Sequence, residues 1–353
     1  MIVGRVASSV VQRQVKYVVP VPVESAAGLV SRVYEQVADE MRIVVPPALL
    51  HSPSPDVLAA YWMLMREPLM PTRHVDRSTK EAVAAAVSVA NICPYCVDMH
   101  SVSLYDLSTE QDAEALAADR VEDLADPHQR AVAAWARTAH QLDDPAPAAL
   151  TPAARAELTG VVVSFHYLTR MVNVFLSSFL LPPGLGRRSR RRAKQGISRI
   201  LRATLRAPRE AGRSLALLPD AALPANAGWA APHPEVAAAA ARSYAAFEAA
   251  GERSLPPAVR AIVLDRLDRW RGEETGISTA WCEELIAGLP PAERAAGRLA
   301  LLTALASYQV DEDVVEEFRR YHPHDATLVD AAAWAGYAAA ALVGARQQAA
   351  SLR

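Results

Sequence analysis

The chain has 353 residues, is 51% hydrophobic and carries a net charge of −2. That is length enough for two ordinary domains and a large core. The charge singles out no class of partner, and three cysteines are too few for a secreted disulfide scaffold.

Abundant Ala and few aromatics favour close-packed helices over sheets. Residues 1–22 read as an irregular or extended arm, with Lys16-Tyr-Val-Val-Pro-Val-Pro-Val. Met1-Ile-Val-Gly-Arg opens without an apolar run and cleavage site, so no signal peptide is expected. Helical patterning starts at Ser25, where Val30, Val33 and Val37 fall on one face. Pro46-Pro47 and Pro53–Pro55 interrupt it, and another helix runs from Asp56 to Arg66.

Ser78 or Thr79 can N-cap a helix that runs to Asn91. Asn91, Cys93 and Pro94 mark a break. Pro94 suits the first turn of a new helix, with Cys93 at its N-cap, and that helix carries Cys96 and His100. Further helices fit 127–140, 151–159 and 161–181. Gly160 to Pro183 is apolar enough to suggest a membrane span, but His166, Arg170 and Asn173 near its middle favour a buried core helix.

Residues 185–213 hold eleven Arg/Lys and one acid, Glu210, a local charge of +10, so the rest of the chain carries −12. Arg187-Arg-Ser-Arg-Arg-Arg-Ala-Lys precedes Ile197, Ile200, Leu201 and Leu205 at helical spacing, a basic amphipathic helix. It is expected to pack on the acidic remainder, in preference to acidic lipid or nucleic acid. A Pro/Ala-rich connection leads to Gly228, and residues 229–353 are again helical.

A degenerate repeat runs through the chain. Pro55-Asp-Val-Leu-Ala-Ala resembles Pro234-Glu-Val-Ala-Ala-Ala, 179 residues later. The same offset puts Arg260 at the place of Glu81, Gly272 at Cys93, Thr275 at Cys96 and Thr279 at His100. Asp126-Pro-His-Gln-Arg likewise resembles Pro290-Pro-Ala-Glu-Arg.

The chemistry concentrates in the first copy, in Glu81 … Cys93-Pro-Tyr-Cys96-Val-Asp-Met-His100. If the chain folds back at Ala90-Asn91, Glu81 lies ten residues before the turn and His100 nine after it. At ~1.5 Å per residue both sit at the same height. Cys96 and His100 are one turn apart on one helix face. A C-x-x-C pair can cycle between thiol and disulfide, and the thiolate is the nucleophile. The helix N-terminus is expected to favour both thiolates. His100 can take and return the thiol proton while Glu81 holds its tautomer. Helix position alone does not choose between the two cysteines. A structural zinc would want a fuller ligand set than Cys93, Cys96, His100 and Glu81, and two inert thiols are the plain alternative. Tyr95 is expected as wall and Cys282 as a small core residue. A redox pair in a chain otherwise nearly free of Cys points to a reducing, cytoplasmic setting.

The spacing E-x11-C-x-x-C-x3-H resembles the motif of the alkylhydroperoxidase D-like proteins of the carboxymuconolactone decarboxylase superfamily. The resemblance extends from about Tyr34 to Leu181 and includes Tyr167-Leu-Thr-Arg-Met-Val-Asn. It implies an all-α fold, here a tandem duplication with a decayed second copy. The expected organisation is an arm (1–22), a catalytic helical domain (23–184), a basic linker (185–228) and a degenerate helical domain (229–353). It implies peroxide reduction with no metal or organic cofactor, in a homo-oligomer. The reductant would be a lipoyl or thioredoxin-like dithiol, or electrons would pass to a peroxiredoxin. It implies Cys96 as the peroxidatic thiol, Cys93 as the resolving and more accessible one, and His100 and Glu81 as relay. Tyr95 stands where the well-studied pattern has His, which removes one relay group. The decarboxylase branch typically lacks the Cys pair, so lactone decarboxylation is not expected. From another class, the same disulfide could switch a redox-responsive binding protein.

Overall fold

The computed structural model describes residues 14–142, 144–182 and 184–351; the first thirteen residues of the expected arm lie outside these. Among the described residues the fold is all helical, apart from one isolated bridge between Val15 and Leu176. The first half contains α1 (Gly28–Met41), α2 (Pro46–His51), α3 (Pro55–Leu69), α4 (Arg77–Ala90), α5 (Pro94–Leu107), α6 (Glu110–Ala117), α7 (Pro127–Thr138) and α8 (Pro152–Phe175). The basic segment forms α9 (Arg187–Arg206). The second half contains α10 (Pro234–Ser254), α11 (Pro257–Arg269), α12 (Ala280–Ile286), α13 (Pro291–Leu305), α14 (Glu312–Arg319) and α15 (Asp325–Ser351).

Proline writes many of these boundaries. It opens α2, α3, α5, α7, α8, α10, α11 and α13, where its missing N–H costs nothing and its fixed φ suits the first turn. Pro46-Pro47 therefore start a short helix instead of merely interrupting one. The α4 cap is Asp76, whose Oδ1 accepts from the Thr79 N–H at 2.9 Å, not Ser78 or Thr79. A carboxylate accepting that bond also suits the positive helix N-terminus. The α-helix expected from Ser25 begins at Gly28, after a short 3-10 turn over Val23–Ser25.

The expected helices 151–159 and 161–181 are one helix, α8. Gly160 does not break it: a Cβ there would lie 2.7 Å from Pro68 of α3, so the missing side chain permits close approach. α8 is buried along nearly all its length. His166, Arg170 and Asn173 therefore face protein, as expected of a core helix. α15 is long and apolar enough to cross a membrane, but it is packed inside the protein.

At the centre α3 packs on α8 and α10, and α15 packs on the same two helices. α3 and α10 begin at the equivalent Pro55 and Pro234, and α8 and α15 are the long closing helices of each half. Equivalent helices thus pair with each other, as at the two-fold interface of a symmetric dimer, here within one chain. Contact is close: a Cβ at Gly251 of α10 would overlap the Trp334 indole of α15.

The halves differ where the motif lies. In the first, α4 and α5 are joined by a three-residue turn and pack against each other. In the second, α11 ends at Arg269 and residues 270–279 are irregular before the short α12. Gly272 and Thr275, the counterparts of Cys93 and Cys96, fall in that irregular stretch, and Thr279 only caps α12. The second copy has lost both the reactive residues and the helical turns that would carry them; α12 matches only residues 101–107 of α5.

Candidate active site

The α4–α5 turn presents the cysteines. Asn91 ends α4, Ile92 is left-handed (φ 51°), and the Cys93 N–H returns to the Ser88 carbonyl at 3.0 Å. A β-branched residue in that conformation is strained by about 1–3 kcal/mol and persists only where the surroundings hold it. α8 supplies the hold. Arg170 donates to Asn91 Oδ1 at 2.9 Å, and Asn173 donates to the Asn91 carbonyl at 3.1 Å. The Asn91 amide donates to Val87 O and to His166 Nδ1, each at 3.1 Å. Because His166 Nδ1 also accepts from Arg170, its proton sits on Nε2. Burial and the Arg170 charge hold His166 neutral, well below the usual imidazole range. The Arg-Met-x-Asn stretch is thus a clamp on the cysteine turn.

Cys93 caps α5 and Pro94 opens it, as the sequence predicts. The two sulfurs stand 2.7 Å apart, so a disulfide needs only a small movement. Cys93 is 1% exposed and Cys96 3%, so Cys93 is not the more accessible thiol in this conformation. The expectation that the helix N-terminus lowers both thiols fails for Cys96. Burial first, then the hydrogen bond to Cys93 and charge on it, push the Cys96 thiol well up. Within the interior the desolvation cost exceeds what a helix terminus contributes.

The level match of α4 and α5 brings Glu81 and His100 together: His100 Nδ1 donates to Glu81 Oε2 at 2.6 Å. This leaves Nε2 as the basic nitrogen. The Phe165 ring meets the imidazole edge-on at 4.5 Å. Arg77, one turn before Glu81, donates to Oε1 at 2.7 Å. Burial alone would raise the Glu81 carboxyl, but Arg77 and His100 together bring it down to about 2. Sequence reasoning missed Arg77, although its i, i+4 spacing to Glu81 was a usable signal.

Tyr95 is buried and donates to Gln14 Oε1 at 3.0 Å. Burial, and then charge on Cys96 and Cys93, raise its phenol, so it stays protonated near the thiols. Tyr95, Tyr61 and His100 wall a cavity of about 340 Å³, with Met65, Leu69, Phe165 and Leu168 supplying apolar surface. No three potential metal ligands gather among the described residues. Cys282 is buried in α12, far along the chain from the pair, and burial pushes its thiol up to about 12.

The model of the carboxymuconolactone decarboxylase family matches residues 56–138, from α3 to the end of α7 and across the whole motif. Over 330 residues, 94% of each chain, the sequence is 36% identical to an alkyl hydroperoxide reductase of Mycobacterium tuberculosis. The chain belongs to the carboxymuconolactone decarboxylase family. For a member of this family, the near-complete coverage of that relative matters. The similarity spans the second half and α9 as well as the motif.

Proposed function

We propose that this chain is a thiol-dependent hydroperoxide reductase. The observation that carries the reading is the contact of Cys93 and Cys96 beside His100 and its partner, the buried Glu81. His100 Nε2 takes the Cys96 proton, and the thiolate attacks the outer oxygen of R–O–O–H. The O–O bond breaks, and the alkoxide leaves with the proton returned by His100 as R–OH. Cys96 is left as sulfenic acid. The Cys93 thiol displaces water from it and closes the disulfide. Two thiols have then reduced one hydroperoxide to alcohol and water. A dithiol of lipoyl or thioredoxin-like chemistry resets the pair by two exchange steps. Such a cycle suits the reducing cytoplasm.

Glu81 fixes the His100 tautomer, and its low pKa keeps it a carboxylate throughout. His100 is needed in person because burial leaves little free thiolate on Cys96 at neutral pH. Turnover of cumene hydroperoxide by the full chain, with dihydrolipoamide as reductant, tests the reading. Many turnovers per chain are expected. A single oxidation per chain with no turnover under any dithiol would favour the redox-switch alternative.

A further inference from the structure

We propose that α9 is the specificity element of this site, its apolar face roofing a chamber that receives the apolar group of a bulky organic hydroperoxide. The proposal rests on the peroxidase reading and assigns the element that selects among its hydroperoxides.

α9 has two faces with two tasks. Ile197, Leu201 and Leu205 line the cavity that His100 and Glu81 also line. Ile200, on the same stripe, is 73% exposed at its opening. The basic side chains hold the helix to α5, the helix that carries Cys96 and His100. Arg190 and Lys194 reach Asp98 at 2.9 and 3.2 Å. Arg202 and Arg206 grip the nearly buried Asp106 at 2.6 and 2.7 Å. The roof is therefore registered on the redox helix itself. Four of the eleven basic side chains of residues 185–213 are spent on this attachment.

The chamber is larger and more apolar than hydrogen peroxide needs. Its 340 Å³ holds about ten non-hydrogen atoms at the ~30 Å³ that a small group occupies in a liquid. Hydrogen peroxide has two. The chamber's ionisable side chains Arg77, Glu81 and His100 are already hydrogen-bonded, Arg77 and His100 each to Glu81. The rest of the lining is mostly hydrocarbon, the unpartnered Thr204 hydroxyl excepted, and hydrocarbon surface favours an alkyl or aryl group over water. With the peroxide end toward His100, that group lies under Ile197 and Leu201.

The test uses single-turnover thiol oxidation of the full chain and compares second-order rate constants for cumene hydroperoxide and hydrogen peroxide. Leu201→Ser, which loosens the roof, and Leu201→Trp, which fills the chamber, are each expected to lower the cumene-to-hydrogen-peroxide ratio roughly tenfold or more. Arg192→Ala, on the exposed face of α9, should leave the ratio within about twofold. An unchanged ratio in both Leu201 variants would overturn the proposal. A readout without chemistry separates it from the reading beneath. The Cys96→Ser protein should bind the product alcohol, 2-phenyl-2-propanol, by calorimetry, and Leu201→Ser on that background should weaken binding. No binding would overturn the chamber even if peroxide oxidises the thiols. Binding without oxidation by any peroxide would instead sink the peroxidase reading, and the hydroperoxide as ligand with it.

Discussion

Replacing Cys96 by Ser is expected to abolish peroxide turnover, with a loss of about 10³-fold or more, because the hydroxyl is neither the nucleophile nor the electron donor that the cycle needs. Cys93→Ser should behave differently. It should react once with cumene hydroperoxide and accumulate a sulfenic acid on Cys96, which a sulfenate-trapping reagent and peptide mass mapping would locate. The two thiols are equally buried and adjacent, so exposure does not assign their roles; chemistry must. If the trap labelled Cys93 in Cys96→Ser instead, the order of attack would be reversed. Because burial raises the Cys96 thiol, the wild-type oxidation rate should also climb as pH rises above neutrality.

Glu81→Gln carries the second large effect, and it has two parts. A neutral amide no longer holds the His100 tautomer or offsets an imidazolium, so thiol oxidation should slow by about 10²-fold. Stability should fall too, since Arg77 loses its buried carboxylate. The native carboxyl lies near 2 against an ordinary 4.5, a difference worth about 3 kcal/mol at ~1.36 kcal/mol per pH unit. The sign follows from proton binding: the unfolded carboxyl binds a proton at higher pH than the native one. The contribution is therefore complete above about pH 4.5 and is lost as pH falls through about 2. Denaturant melts of wild type between those limits should weaken steadily, and Glu81→Gln should flatten that acid slope. A variant with wild-type stability and slope would show that Arg77 and His100 do not depend on this carboxylate.

Much of the site can be read from spacing because helix rise is fixed. Ten residues before the Asn91 turn and nine after it place Glu81 and His100 near one level, and the structure has them hydrogen-bonded. Pro94 and Cys93 sit where helix-start chemistry puts them. What sequence could not give depends on elements distant in the chain. The clamp on Asn91 comes from α8, roughly eighty residues later. The raised Cys96 thiol comes from burial, which spacing does not report. The basic segment was legible as an amphipathic helix, yet not as the roof of the cavity, because its acidic partners Asp98 and Asp106 lie on α5 among apolar neighbours. The irregular residues 270–279, where the second copy lacks the first turns of the motif helix, show the limit of an ungapped repeat: it reveals the lost residues and not the lost backbone.

The central claim is that Cys93 and Cys96 form one two-electron redox centre for peroxide. The most direct test is a stopped-flow titration of the reduced chain with one equivalent of cumene hydroperoxide, counting free thiols and mapping the disulfide by mass spectrometry. Fast loss of two thiols per chain into a Cys93–Cys96 disulfide, with Cys282 still free, is the predicted result. Retention of both thiols, or a disulfide that includes Cys282, would contradict it.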